Sequence, residues 1–310
     1  MTVYTDIKNI DRDTNSIITV GTFDGLHRGH REILNIVKSR SLEENCRSIV
    51  VTFEPHPRIV LDKSDRIKIL SSLDEKISLF DKQGIGGLLV LKFDEDFSQQ
   101  TSEMFFKKYI IEGIGLREIV IGYDHRFGKG RDGDEHTLQT LGSEFGFSCI
   151  HVPEVQLHGR TISSSLIRNL LKDGKVSEAA DYLGHTYSIS GVVVEGNKRG
   201  RTLGFPTANI NFSNIHKLVP ADGVYAVKIE IDGDIKNGIM NIGVRPTFDN
   251  NSVHFNEVHL IDFDADIYDK LITVCFIERI RSEKKFQSID ELKFQIKSDK
   301  DLAVKILETI

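Results

Sequence analysis

Val20-Gly21-Thr22-Phe23-Asp24-Gly25-Leu26-His27-Arg28-Gly29-His30 is the stretch on which the fold turns. A β-branched run, Ile17-Ile18-Thr19-Val20, leads into it, and Arg31–Lys38 leaves it with Ile33, Leu34, Ile36 and Val37 at helical spacing. Strand, glycine-broken turn and helix in that order form the ligand-facing edge of an α/β sheet. Gly21 and Gly25 let the main chain turn and approach a ligand with no Cβ in the way. His27 and His30, three apart, are expected on one face of the first helical turn. Backbone donors and the positive end of the helix dipole point the same way. Two imidazoles there can stabilise charge as it spreads over a phosphorus centre. The plain alternative is a polar helix start, and the placement of His-x-Gly-His at a strand–helix junction argues against it.

Composition narrows the classes. The chain has 310 residues, enough for two domains with their own cores. With 40 basic and 46 acidic residues its formal charge is −6, which disfavours a general nucleic-acid binder. Cys46, Cys149 and Cys275 lie far apart and form no Cys-x-x-Cys, so reduced thiols and a cytoplasmic setting are expected. Met1–Asp13 lacks the basic-then-apolar pattern of an export signal, and no apolar run approaches the ~18 residues of a membrane span.

From Ser16 to about Val155, strand-like and helix-like segments alternate. Arg47–Phe53, Gly87–Leu91, Glu118–Gly122 and Ser148–Val152 read as strands; Ser72–Phe80, capped by Ser72, and Ser102–Ile111 read as helices. Such alternation predicts a parallel, doubly wound sheet whose ligands bind beyond the carboxyl ends of its strands. The loops after Val20, Phe53 and Ile121 are expected to converge on one crevice. A helical stretch runs on through Val176–Tyr182, and Leu183-Gly184-His185 stops it, so a division into 1–182 and 183–310 is expected. Beyond it, Tyr187–Glu195, Gly223–Ile231, Gly238–Val244, Asn256–Ile261 and Leu271–Ile277 are strand-like, and only Ser288–Ile310 is helical. Strands followed by one helix predict an antiparallel β-barrel with a covering helix.

Four further stretches carry chemistry. Phe53-Glu54-Pro55-His56-Pro57-Arg58 is a proline-stiffened loop after a strand. Gly122-Tyr123-Asp124-His125-Arg126-Phe127-Gly128-Lys129-Gly130 hints at a Walker loop, but Gly130 stands where that motif needs Ser or Thr. In Arg160-Thr161-Ile162-Ser163-Ser164-Ser165-Leu166-Ile167-Arg168, serines cap a helix and Arg168 lies one turn on, a set of donors that can hold a triphosphate. Gly196-Asn197-Lys198-Arg199-Gly200-Arg201-Thr202-Leu203-Gly204-Phe205-Pro206-Thr207-Ala208-Asn209 joins a basic, glycine-rich loop to an extended segment. There Thr207 and Asn209 face one side, offering the hard oxygen atoms that suit Mg²⁺.

The opening stretch resembles the Gly-x-Phe-Asp-Gly-x-His-x-Gly-His signature of the bacterial bifunctional riboflavin kinase/FMN adenylyltransferases, the FAD synthetases. The serine-rich stretch is similar to that family's Ile-Ser-Ser-Thr-x-x-Arg motif, with Ser165 in place of threonine. The long basic run resembles its Gly-Arg-x-Leu-Gly-x-Pro-Thr-Ala-Asn riboflavin-kinase signature, and Asn241–Thr247 and Glu257–Phe263 continue the likeness. The resemblance implies a Rossmann-like nucleotidyltransferase domain followed by an antiparallel β-barrel kinase domain with a terminal helix. It implies that His27 and His30 stabilise the transferring α-phosphoryl group. It assigns ATP or its phosphates to Gly21, Phe23, Asp24, Gly25, Ser164, Ser165, Arg168, Gly196, Lys198, Gly200 and Arg201. Phe53, Pro55, His56, Pro57 and Asp124 are assigned to the flavin, Thr207 and Asn209 to Mg²⁺, and Glu257 to the catalytic base. Alternation on its strand turns Glu257 and His259 away from Val258 and Leu260. Riboflavin, FMN, FAD and ATP are the implied partners, without nucleic acid, membrane or an obligate protein partner. Two residues depart from the pattern: His125 stands where phenylalanine is usual, and Asp269 where glycine is common. Three rivals stay open at this point: a chain keeping one activity, a flavin-binding regulator without turnover, and a cytidylyltransferase with an unrelated barrel.

Overall fold

The computed structural model describes residues 1–62, 68–195, 205–212, 214–246 and 252–309. The first unit is built on a parallel sheet of β1 (Thr2–Tyr4), β2 (Ser16–Val20), β3 (Arg47–Glu54), β4 (Gly87–Lys92), β5 (Glu118–Gly122) and β6 (Ser148–Val152), in the order β1-β4-β3-β2-β5-β6. Between them run α1 (Arg28–Glu43), α2 (Pro57–Leu61), α3 (Leu73–Gln83), α4 (Glu95–Ser98), α5 (Ser102–Phe105), which continues as π-helical turns over Phe106–Ile114, and α6 (Glu135–Phe145). All five residues of β2 are buried, as a strand covered on both faces requires. Ile18, Val20, Ile49, Val51, Ile119 and Ile121 pack with Phe105, Phe106 and Leu138 on one face. Ile17, Val50, Leu88 and Val120 pack with Leu34, Val37 and Phe80 on the other. β2 pairs with β3 on one side and β5 on the other. The strand order reverses there, so the loops after Val20, Glu54 and Gly122 leave neighbouring strands in one direction.

Among the segments not expected from sequence are β1 and α6. β1 is a three-residue edge strand, too short to show a period. α6 carries a capping box at Asp134 and a left-handed stop at Gly146, local signals that its polar exposed face masks.

A short hairpin, β7 (Gln156–Leu157) and β8 (Arg160–Thr161), precedes α7 (Ser164–Lys172) and α8 (Val176–Leu183). The closed antiparallel barrel comprises β9 (Tyr187–Val194), β10 (Ala208–Asn211), β11 (Gly223–Ile231), β12 (Asp234–Pro246), β13 (Ser252–Leu260) and β14 (Leu271–Arg281), in the order β10-β13-β12-β11-β14-β9. Tyr187, Tyr225 and Phe276 fill it, with Phe276 5.4 Å from Tyr225 and 6.4 Å from Tyr187. α9 (Ile289–Glu308) covers the outside by setting Ala303 and Leu307 on Val224, Ala226 and Ile239. Arg281 fixes it by a forked bond to Asp299, 2.8–3.1 Å. Asp269 adopts φ +61° and donates its N–H to Val193 O at 3.0 Å, so aspartate keeps the left-handed turn where glycine is common.

By compactness the units are Met1–Ser164 and Ser165–Ile310, so α7 and α8 group with the barrel. Ala221 N–H donates to Leu171 O, and Arg279 donates to Asp173 O across the turn where Gly174 is left-handed. Ile167, Leu170, Leu171, Val176 and Tyr182 are buried. At ~1.5–3 kcal/mol each, those side chains are worth as much as an ordinary domain's net stability, ~5–15 kcal/mol. A fragment starting at Ser165 is therefore expected to melt cooperatively. One starting at Leu183 is expected to melt at least 10 °C lower, by the order of magnitude set by a loss of several kcal/mol, or to aggregate; parallel thermal melts decide it.

Candidate active sites

Gly21 keeps to the sheet, its N–H donating to Val51 O at 3.0 Å. The chain then coils through three left-handed residues, Phe23 (φ +47°), Gly25 (φ +82°) and Leu26 (φ +39°). Glycine adopts this region freely, whereas Phe23 and Leu26 hold it by being packed, at 2 % and 0 % exposure. Asp24 anchors the coil from below. Its Oδ1 accepts the N–H groups of Leu70 (2.9 Å) and Ser71 (3.1 Å), and Ser71 Oγ accepts Gly25 N–H at 2.9 Å. Ser164 Oγ donates to Asp24 O at 3.0 Å. Asp24 and Ser164, both assigned to ATP by resemblance, thus shape the loop through these bonds.

His27 is the cap of α1 and not a member of its first turn, a correction to the expected placement. Its Nδ1 accepts His30 N–H at 3.3 Å, leaving its proton on Nε2. The two rings stack, centroids 3.6 Å apart and 16° from parallel, with the edge of Phe23 5.2 Å from His30. A Cβ on Gly29 would come within 3.3 Å of the His27 ring, so the glycine between the histidines is what lets the cap fold over. Burial, then the neighbouring His27, holds His30 well below the usual imidazole range, so it is neutral at physiological pH. Its Nδ1 is buried without a hydrogen-bond partner. A lone pair is the cheaper orphan than an N–H, which leaves the His30 proton on Nε2.

Beside Glu54 and Asp24 lies a group that the sequence did not single out. Lys76 of α3 is 2 % exposed, with Nζ 3.7 Å from Glu54 Oε2. Burial lowers its pKa while Glu54 and Asp24 oppose the shift. Its signal was a lysine at helical spacing from Leu73 and Phe80, on the face that should be apolar. Phe53 joins an aromatic cluster with Phe93, Phe97 and Phe105, at 5.8–6.1 Å. His56 is buried and caps α2 by accepting Arg58 N–H at 3.1 Å, Pro57 opens that helix, and Pro55 and Asp124 are exposed. A cleft of about 460 Å³ opens beyond β5 and β6, lined by Gly122, His125, Arg126, Glu135, His136 and His151 among others.

His125 stacks on Phe127 at 5.4 Å and 29°, so the ring contact survives the missing phenylalanine. Burial, with Arg131 nearby, pushes His125 down to about 4. Between that value and ~6.5, the ordinary imidazole value, the unfolded chain binds the proton and the folded one does not. Stability is thus complete above pH 6.5 and lost as pH falls towards 4. His125→Phe is expected to gain about 1–2 kcal/mol over wild type on going from pH 7.5 to 5.0, read from denaturant unfolding at both values.

In the barrel unit, register does the assembling. Asn209 of β10 lies opposite Glu257 of β13, and Glu257 lies opposite Asn241 of β12. Directly opposed residues share a face, so the three form one polar row. Asn241 is opposite Val224, which packs against α9, so the row is on the outer face of the barrel. Asn241 Oδ1 is buried with no hydrogen-bond partner, and sequence reasoning gave that residue no role. Thr207 immediately precedes β10. Ser165 and Arg168 lie in α7. Gly196, Lys198, Gly200 and Arg201 lie outside the described residues.

Thr207 offers a hydroxyl and Asn209 an amide oxygen, hard donors of the kind that suit Mg²⁺ together with a substrate's phosphates. No group of three or more His, Cys, Asp or Glu suited to a metal occurs among the described residues.

Comparison with known proteins gives the chain's family. The family model described as FAD synthetase matches residues 9–166, and that described as riboflavin kinase matches 183–307. The bifunctional riboflavin kinase/FMN adenylyltransferase of Bacillus subtilis (strain 168) is 38 % identical over 307 residues, 97 % of this chain and 95 % of its own. The chain belongs to that family. The Escherichia coli (strain K12) protein of the same name is 37 % identical over 284 residues, 91 % of this chain and 90 % of its own. A Streptococcus pneumoniae crystal structure, described as a macrolide-efflux protein, superposes with TM-score 0.88 at 33 % identity, covering 97 % of each chain. The FAD synthetase part of this family member thus falls on the unit holding His27 and His30, and the kinase part on the barrel. The long chain-wide match removes the cytidylyltransferase alternative. Among the described residues no helix is long and apolar enough to cross a membrane.

Proposed function

We propose that the His27–His30 pair carries adenylyl transfer and Glu257 carries phosphoryl transfer. The chain is a riboflavin kinase and an FMN adenylyltransferase with ATP as co-substrate. In the first step the terminal hydroxyl of riboflavin attacks the γ-phosphorus of ATP, releasing ADP. Glu257 takes the hydroxyl proton as the new P–O bond forms. Thr207 and Asn209 hold a divalent cation, Mg²⁺ by the hardness of their oxygens, which when bound neutralises charge on the transferring phosphates. Asn241 completes the row beside Glu257 and orients the hydroxyl. In the second step an FMN phosphate oxygen attacks the α-phosphorus of a second ATP and pyrophosphate leaves. The Nε2–H groups of His27 and of neutral His30 donate to the oxygens that gain charge, together with the start of α1. Phe53, Pro55 and Asp124 lie on the flavin side. No covalent intermediate is needed, because in-line attack by a positioned phosphate suffices. The free thiols Cys46, Cys149 and Cys275 suit a cytoplasmic enzyme.

The observation that carries the kinase reading is the alignment of Asn209, Glu257 and Asn241 across three strands. Thr207→Ala and Asn209→Ala are expected to raise the Mg²⁺ concentration for half-maximal FMN formation by ~10-fold or more. High Mg²⁺ should partly restore the rate. Wild-type Mg²⁺ dependence in both variants, measured by chromatography of FMN, removes the ligand assignment.

A further inference from the structure

His259 is left without a task once Glu257, Thr207 and Asn209 have theirs. It follows Glu257 by two positions on β13, so both leave the same face. An imidazole there competes with Glu257 for the part of base, and its surroundings exclude it. Nδ1 lies 2.8 Å from Pro206 O. A carbonyl oxygen only accepts, so Nδ1 bears the proton. Nε2 is buried with no hydrogen-bond partner among the described residues, and a proton there would be a donor with no acceptor among them. The Phe205 ring stands edge-on at 5.7 Å and 81°. A ring with one nitrogen engaged and the other sealed off neither collects nor delivers a substrate proton.

What it engages matters. The Pro206 carbonyl belongs to the peptide that enters Thr207. The register of β10 with β13 starts at Ala208, so Thr207 precedes the paired ladder. Proline has no N–H to anchor the segment from its other side. The His259 bond therefore sets the plane of the Pro206–Thr207 peptide, and with it the direction in which the Thr207 side chain leaves.

We propose that His259, as the neutral Nδ1–H tautomer, is a positioning residue for the kinase step that fixes the Pro206–Thr207 peptide and so aims the Thr207 hydroxyl. The proposal rests on the reading of Thr207 as a cation ligand given above. It assigns no proton transfer to His259 and leaves the base to Glu257.

Two amide side chains separate the ring's nitrogens. Asparagine carries an N–H near the place of Nδ1, whereas glutamine carries its N–H near the place of Nε2. His259→Asn should keep the bond to Pro206, and His259→Gln should lose it. The first readout needs no metal: peptide-level hydrogen exchange across residues 205–212 of the full chain in chelator. Exchange there should quicken in His259→Gln and stay near wild type in His259→Asn, with β11 unchanged in both. The second is the Mg²⁺ dependence of riboflavin phosphorylation. Half-saturation should rise ~10–100-fold in His259→Gln, as for lost outer-shell partners of metal ligands, and recover in His259→Asn. Equal behaviour of the two variants, or exchange that quickens in β11 as much as in 205–212, overturns the proposal. If Thr207→Ala raises the Mg²⁺ requirement and His259→Gln does not, His259 has no positioning role. If Thr207→Ala leaves the requirement unchanged, the ligand reading fails, and the proposal falls with it in a recognisably different way.

Discussion

Glu257→Gln lowers FMN formation by ~10²–10⁴, the usual worth of general-base assistance, and leaves conversion of supplied FMN to FAD at the wild-type rate. Glutamine keeps the size of glutamate and most of its hydrogen bonding but accepts no proton at neutral pH. The substitution sits on β13 with Asn209 and Asn241 opposite, so the strand and its register have no reason to move. The adenylylation proposed for His27 and His30 makes no use of Glu257, which gives an internal control in one protein sample. Product chromatography from riboflavin plus Mg-ATP, then from FMN plus Mg-ATP, reads both rates. Wild-type riboflavin phosphorylation in Glu257→Gln would mean that the base lies elsewhere. Because His259 has no nitrogen available, the search would then pass to other residues of the outer face.

The complementary result is expected for the histidine pair. His27→Ala and His30→Ala each lower FAD formation from FMN by ~10²–10³, the typical loss of one preorganised donor, with riboflavin phosphorylation unchanged. The two changes differ in what else they disturb. Removing His27 also removes the cap of α1, at ~1 kcal/mol, so a lower melting point accompanies its loss of rate. Removing His30 deletes a half-buried neutral ring whose Nδ1 has no hydrogen-bond partner among the described residues, and opens space beside Phe23. His27→Asn restores a side-chain cap without restoring an imidazole N–H, and so should recover the melting point and not the rate. Equal loss of both activities in these variants would point to misfolding and withdraw the assignment. The stacked rings also make the double variant informative. If both donate to the same developing charge, the combined loss falls short of the product of the single losses.

Local chemistry made much of this molecule legible before any coordinates. β2, its glycine-broken turn and α1 follow from a β-branched run, two glycines and an apolar helical stripe, features that act over a few residues. The strands Glu118–Gly122, Ser148–Val152 and Gly223–Ile231 match their expected ends, since alternation and turn residues bound them on both sides. Glu257 and Asn209 stood out as chemical candidates, but their sequence positions, 48 apart, say nothing about distance. Closure of the barrel set the register that makes them opposite neighbours and adds Asn241 to the row. The same holds for Lys76, a surface-type residue whose burial beside Glu54 depends on how α3 meets β3. His27 was legible as a functional histidine. That it caps α1 and stacks on His30 depended on the left-handed path of Phe23–Leu26, which packing enforces against local preference. Allegiance of α7 and α8 to the barrel likewise depended on which apolar surfaces remained to be covered. Sequence period and turn chemistry act locally and so fix elements and name reactive groups. Register, burial and helix allegiance are settled by contacts between residues far apart in the chain, and only the folded structure decides them.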